Sequence, residues 1–184
     1  TVEGDRAAGD TDAGRHRGAQ DLARGIAFDA PPLDACKIDS IVQSWATLSD
    51  AADSSRTWQA MVAADHHLVR REEGLVLLFT PPFDQTTLEP GYIKGYLPGI
   101  RENGGQYTHA ALWMAQAWAH LGQGDKAWEL LTMLSPVTHS QDAAQAERYR
   151  LEPYVVAADI YSQLPHVGRG GDTFSMLKLV AELA

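Results

Sequence analysis

A chain of 184 residues with 45% hydrophobic content is long enough for one ordinary domain with a buried core, which argues against wholesale disorder. Its formal net charge of −9 speaks against a nucleic-acid partner, because phosphates call for basic patches, yet it leaves room for an anionic ligand at a locally positive site. The single cysteine, Cys36, excludes an internal disulfide, and without Cys/His zinc spacing it points to a reducing, cytoplasmic compartment and no structural metal.

Residues 1–27 carry few bulky apolar side chains and read as a tail, with room for a short helix near 19–25. Ile38, Ile41, Val42, Trp45 and Leu48 recur at helical steps, which predicts a first helix with that face buried. Ser54 or Ser55 is the expected N-cap of a second helix, whose apolar face is Trp58, Met61, Val62, Leu68 and Val69 and whose stop is Gly74. LVLLF (75–79) reads as extended and buried, although periodicity does not separate it from a buried helix. Residues 80–105 form a long loop rich in Pro and Gly, and loops of that length in compact domains are functional or disordered. Its aromatic residues Phe79, Phe83, Tyr92 and Tyr96 favour a packed loop.

A third helix is predicted over 106–121, with Tyr107, Ala111, Met114, Trp118 and Leu121 on one face. A fourth follows the LGQGD turn with Asp125 as N-cap, giving an αα-hairpin. Another helix near 142–149, the apolar segment PYVVAADIY, the glycine-rich HVGRGG (166–171) and a final amphipathic helix in FSMLKLVAELA complete the chain. No strand alternation stands out, so the class is all-α: helical hairpins with long loops.

Chemistry concentrates in GYIKGYLPGIRENGGQYTHAALW (91–113), where a flexible loop carrying Lys94, Arg101, Glu102 and Asn103 runs into a helix bearing Gln106 and His109. His109, one turn into a helix, is either an anion contact helped by the helix N-terminus and by Arg101 or Lys94, or a core histidine with a satisfied ring nitrogen. Glu102 and Asn103 either bind sugar hydroxyls, which need paired donors and acceptors, or frame the helix entry. Asp39 and Gln43 share a helix face, and Asp39 also suits a helix N-terminus. Arg150 and Glu152 around Pro153 read as an ion pair framing a helix start. His66 and His67 are adjacent on a helix and diverge by about 100°, which makes them poor co-ligands for a metal.

KIDSIVQSWATLS (37–49), EEGLVLLFTPPFD (72–84), residues 91–113 and YRLEPYVVAADIYSQLPHVGRGG (149–171) together resemble glycoside hydrolase family 94. The match is nearest to the C-terminal phosphorylase-like domain of cyclic β-1,2-glucan synthases and to β-1,2-oligoglucan phosphorylases. It covers 28–171 and leaves 172–184 as a divergent C-terminal helix. The resemblance implies part of an (α/α)6 barrel, the six-hairpin glycosidase architecture, and cleavage of β-glucosidic bonds by inverting phosphorolysis or control of glucan chain length in a synthase. It implies inorganic phosphate as co-substrate, a β-glucan or glucooligosaccharide as partner, and no cofactor. It implies a cytosolic location, with full-length relatives attached to the inner membrane at its cytosolic face. His109 takes the place of the family's phosphate-binding histidine, and Arg101, Glu102, Asn103 and Gln106 fall in the substrate-binding motif beside it.

The departures are equally specific. The family's general acid lies in a D-W-N-D-G motif that residues 1–27 do not resemble, and DTFSMLKLVAELA follows HVGRGG in place of the family's Thr-Gly phosphate loop. The resemblance therefore assigns no catalytic residue to these 184 residues, and the expectation is a chain inactive by itself, with an open barrel face available for self-association. A second reading is a helical interaction module, because WAHLGQGDKAWELL is similar to a tetratricopeptide turn, but such repeats recur and only one is found.

Overall fold

The computed structural model describes residues 35–50, 52–86, 89–171 and 173–174. The readings of 1–27 and of a final C-terminal helix lie outside these residues. Five α-helices supply the mass of the described part: α1 (Ser40–Leu48), α2 (Ser54–Leu68), α3 (Thr108–His120), α4 (Gly124–Leu134) and α5 (Ala143–Tyr149). No helix among the described residues is long and apolar enough to cross a membrane.

Local chemistry sets most of the helix ends. Asp39 caps α1 by accepting from the amides of Ile41 at 2.8 Å and Val42 at 3.1 Å. Burial raises the Asp39 carboxyl above its ordinary value, and the two amide bonds oppose that shift. Asp53, one residue before the expected serines, caps α2. Asp142 caps α5 through the Gln145 amide, and Arg150 closes that helix in the left-handed region with φ 59°. In α4, Asp125 lies inside the first turn rather than at the cap, where it still complements the helix dipole.

The all-α reading needs one correction. Among the described residues, eight two-residue strands form four antiparallel ladders: β1 (Ile38–Asp39) with β4 (Phe79–Thr80), β2 (Val69–Arg70) with β3 (Leu75–Val76), β5 (Gln106–Tyr107) with β7 (Asp159–Ile160), and β6 (Val156–Ala157) with β8 (Thr173–Phe174). Strands this short leave no alternation to detect. They nevertheless end helices early. α2 stops at Leu68, and Gly74 at φ +70° sits in the β2–β3 turn instead of terminating the helix. β5 takes Gln106 and Tyr107 away from the predicted third helix, and PYVVAADIY supplies the two short strands β6 and β7. Arg150 pairs with Glu147 rather than Glu152.

The main core joins α2, α3 and α4 through Met61, Ala64, Leu68, Ala111, Met114, Trp118, Leu130 and Leu134. The LVLLF run is buried throughout, as expected, and joins three clusters: Val76 and Leu77 enter this core, Leu78 and Phe79 pack with Phe83 and Ala110, and Leu75 packs with Tyr149 and Ile160. The predicted faces of α1 and α2 fail in part. On α1 the buried residues are Ser40, Gln43, Ser44 and Thr47, whereas Trp45 is 45% exposed. Trp58 and Val62 of α2 also face outward. The physical reason is that α1 packs against α2 and α3 through its small polar side, where short side chains allow close approach.

Candidate functional site

The loop entering α3 is built around Asn103, which is fully buried. Its side-chain amide donates to the carbonyls of Phe83 at 2.7 Å and Tyr96 at 2.8 Å and accepts from the Phe83 amide at 2.7 Å. Two distant parts of the 80–105 loop are thereby tied to one side chain. Phe79 and Phe83 pack edge-on at 5.4 Å within the same region, while Tyr92 stands exposed. Gly104, at φ +81°, backs onto Pro82, and a Cβ there would meet the Pro82 Cβ at 3.0 Å and the Phe79 carbonyl at 3.2 Å. Gln106 is buried as well, and its Oε1 accepts from the Val76 amide at 2.9 Å.

Above this frame the chain turns sharply at Arg101, whose φ of 50° lies in the left-handed region. The turn lifts Arg101 and Glu102 out of the frame. The guanidinium lies over the Tyr96 ring at 5.6 Å, and its Nε is 3.8 Å from a Glu102 carboxylate oxygen. The Tyr107 hydroxyl donates to the other Glu102 oxygen at 3.3 Å. Burial, and then the charge and hydrogen bond of Glu102, hold the Tyr107 phenol above its ordinary value.

His109, half-buried in the first turn of α3, touches the Tyr107 ring edge-on at 4.5 Å and Trp113 at 4.9 Å. Trp113 in turn meets Trp45 of α1 at 5.4 Å. Arg101, Glu102 and His109 thus gather around Tyr107, whereas Asn103 and Gln106 lie inside the fold with their amides engaged. Lys94 sits apart, bound to the Thr86 carbonyl at 2.9 Å and to Glu89 at 3.2 Å. His66 and His67 stack edge-on at 4.6 Å near the end of α2, and no cluster of three or more metal-ligating side chains occurs among the described residues.

HVGRGG wraps back onto the strand beside this site. The Gly168 amide donates to the Tyr161 carbonyl at 2.8 Å, the Tyr161 amide to Arg169 at 2.9 Å, and the Gly171 amide to Asp159 at 2.8 Å. A Cβ on Gly171 would lie 2.5 and 2.6 Å from the two Asp159 carboxylate oxygens, so any side chain there would force the carboxylate to shift. Sequence reasoning missed Tyr107 and Asp159. Periodicity assigned Tyr107 to a helix face, and the Asp159 carboxylate lay hidden in an apolar run.

A cation, a carboxylate and an imidazole are grouped at a helix start, on a loop pinned by buried amides, in a mainly helical domain. Helices of unequal length joined by laddered loops also differ from stacked repeats. The chain belongs to the glycosyl hydrolase 94 superfamily: residues 24–176 match its catalytic domain. It is 51% identical over 156 residues to the cyclic beta-(1,2)-glucan synthase NdvB of Rhizobium meliloti strain 1021, an alignment covering 82% of this chain and 6% of that protein. It is 28% identical over 131 residues to the solabiose phosphorylase of Paenibacillus borealis, covering 71% of this chain and 16% of the enzyme. Against the N,N'-diacetylchitobiose phosphorylase of Vibrio proteolyticus it is 31% identical over 116 residues, 62% of this chain and 14% of that protein. The chain therefore spans a small fraction of each relative's length.

Proposed function

We propose that this chain supplies one wall of a site that cleaves β-glucosidic bonds, those of a β-1,2-glucan, by inverting phosphorolysis. The grouping of Arg101, Glu102 and His109 around Tyr107, inside the span that matches the family's catalytic domain, carries the reading. His109 contacts inorganic phosphate, and Arg101 and Glu102 hold sugar hydroxyls through one donor group and one acceptor group. Asn103 and Gln106 act by holding the loop that presents them. In the reaction a phosphate oxygen bonds to the anomeric carbon from the face opposite the leaving oxygen. The glycosidic C–O bond breaks as an acid delivers a proton to that oxygen. The described helices form part of an (α/α)6 barrel in this reading, and the likeness to a glucan synthase favours control of β-1,2-glucan chain length as the biological form of the reaction.

No segment of the 184 residues resembles the D-W-N-D-G acid motif, so the purified chain is expected to bind ligands without turning them over. Inorganic phosphate titrated into the chain should perturb the His109 ring resonances in NMR spectra. His109→Ala should weaken phosphate binding by about tenfold or more, the scale of a charge-assisted hydrogen bond. Unchanged phosphate affinity in that variant would remove His109 from the site. Release of glucose 1-phosphate from a β-1,2-glucooligosaccharide and phosphate at ordinary enzyme rates would overturn the expected inactivity.

A further inference from the structure

The geometry points to Tyr107 as a positioning residue that fixes the Glu102 carboxylate and the His109 imidazole relative to each other, keeping sugar and phosphate contacts in register. The inference rests on the proposed phosphorolytic reading. Three observations combine. First, the backbone of Tyr107 is clamped, because it pairs with Asp159 in the β5–β7 ladder and the next amide, of Thr108, donates to the Ala158 carbonyl at 2.9 Å. Second, its hydroxyl donates to Glu102 at 3.3 Å, on the side of the carboxylate not facing Arg101. Third, its ring packs edge-on against the His109 ring with centroids 4.5 Å apart, and His109 also meets Trp113 at 4.9 Å. Hydroxyl and ring therefore do separate jobs. Loss of the hydroxyl frees Glu102 alone, and loss of the ring frees His109 as well.

The test uses the purified chain with two separate probes, inorganic phosphate and a β-1,2-linked glucotriose, followed by NMR. Tyr107→Phe should weaken the trisaccharide by roughly fivefold to tenfold while phosphate stays within about twofold, as expected for one lost hydrogen bond to a charged group. Tyr107→Leu should weaken both. Wild-type trisaccharide affinity in Tyr107→Phe overturns the role, and so does an equal loss for both probes in both variants, which is the mark of general loosening. A second readout needs no ligand. In a tyrosine 13C titration the Tyr107 midpoint should fall toward the ordinary value in Glu102→Gln, and an unmoved midpoint overturns the coupling. If the wild-type chain binds neither probe, the phosphorolytic reading fails, and the titration still decides whether Tyr107 is tied to Glu102.

Discussion

Asn103 shows how much one buried amide can organise. Its three hydrogen bonds satisfy the Phe83 amide and the Phe83 and Tyr96 carbonyls. Asn103→Ala strands those groups, and at about 1 kcal/mol for each lost bond the cost is expected to be roughly 2–3 kcal/mol. Asn103→Asp keeps the size but turns an oxygen toward two carbonyl oxygens, so it should destabilise more than the alanine at neutral pH. Urea unfolding of both variants checks the order, and an aspartate variant as stable as wild type would sink the account. Residue identity and place were legible in the sequence here: an amide between Glu102 and two glycines marks a special loop end. Its role was not, because an amide suits sugar hydroxyls and backbone groups equally well. Tyr107 was misread for a related reason. Its spacing fits the α3 face, and only the distant Asp159 strand draws it into a ladder.

Among the elements, α3 and α4 were legible from apolar spacing alone: Met114, Trp118, Leu130 and Leu134 are buried, although neither helix start carries a side-chain cap. α1 was legible as a helix but not in its orientation. Spacing reveals a face and cannot say which side a neighbour covers, and here Ser40, Ser44 and Thr47 are the covered side. The packing of α5 has a consequence for pH. His139, in the short 3-10 turn Thr138–Ser140, lies nearly flat on Tyr149 at the end of α5, with ring centroids 5.0 Å apart and planes at 16°. Burial, and then the positive charge of Arg148, hold its imidazole below the ordinary 6.5. The unfolded chain therefore takes up this proton at a higher pH than the folded chain does. The stability contributed by neutral His139 is fully present above the unfolded value and is lost as pH falls through the folded one. Urea midpoints measured from pH 7.5 down to pH 5 should decline, and His139→Phe should flatten that decline. An equal decline in the variant would remove His139 as a cause.

At the scale of the whole molecule, the ladders and the helices divide the work. Antiparallel pairs staple the loops into a polar wall, and the helices bury a core on one side while leaving apolar side chains on others. Trp45 and Trp58 are 45% and 42% exposed, Trp128 is 71% exposed, and Val62 and Leu131 also reach solvent. Scattered exposed apolar residues are ordinary, but large aromatic rings on three separate helices are the kind of surface that further structure covers. This chain spans 6% to 16% of the length of these relatives, and in the proposed barrel further hairpins would cover such rings. In the purified chain a second copy is one surface able to cover those rings. Its apparent mass in sedimentation equilibrium should therefore rise with concentration through the tens of micromolar range. Trp45→Gln combined with Trp128→Gln should shift the assembly toward monomer without loss of helical circular dichroism. Trp45 loses its edge contact with Trp113 in that variant, so a companion Trp128→Gln single variant, which disturbs no ring pair, separates surface loss from local loosening. A wild-type chain that stays monomeric to about 100 µM would show that the exposed rings do not drive association.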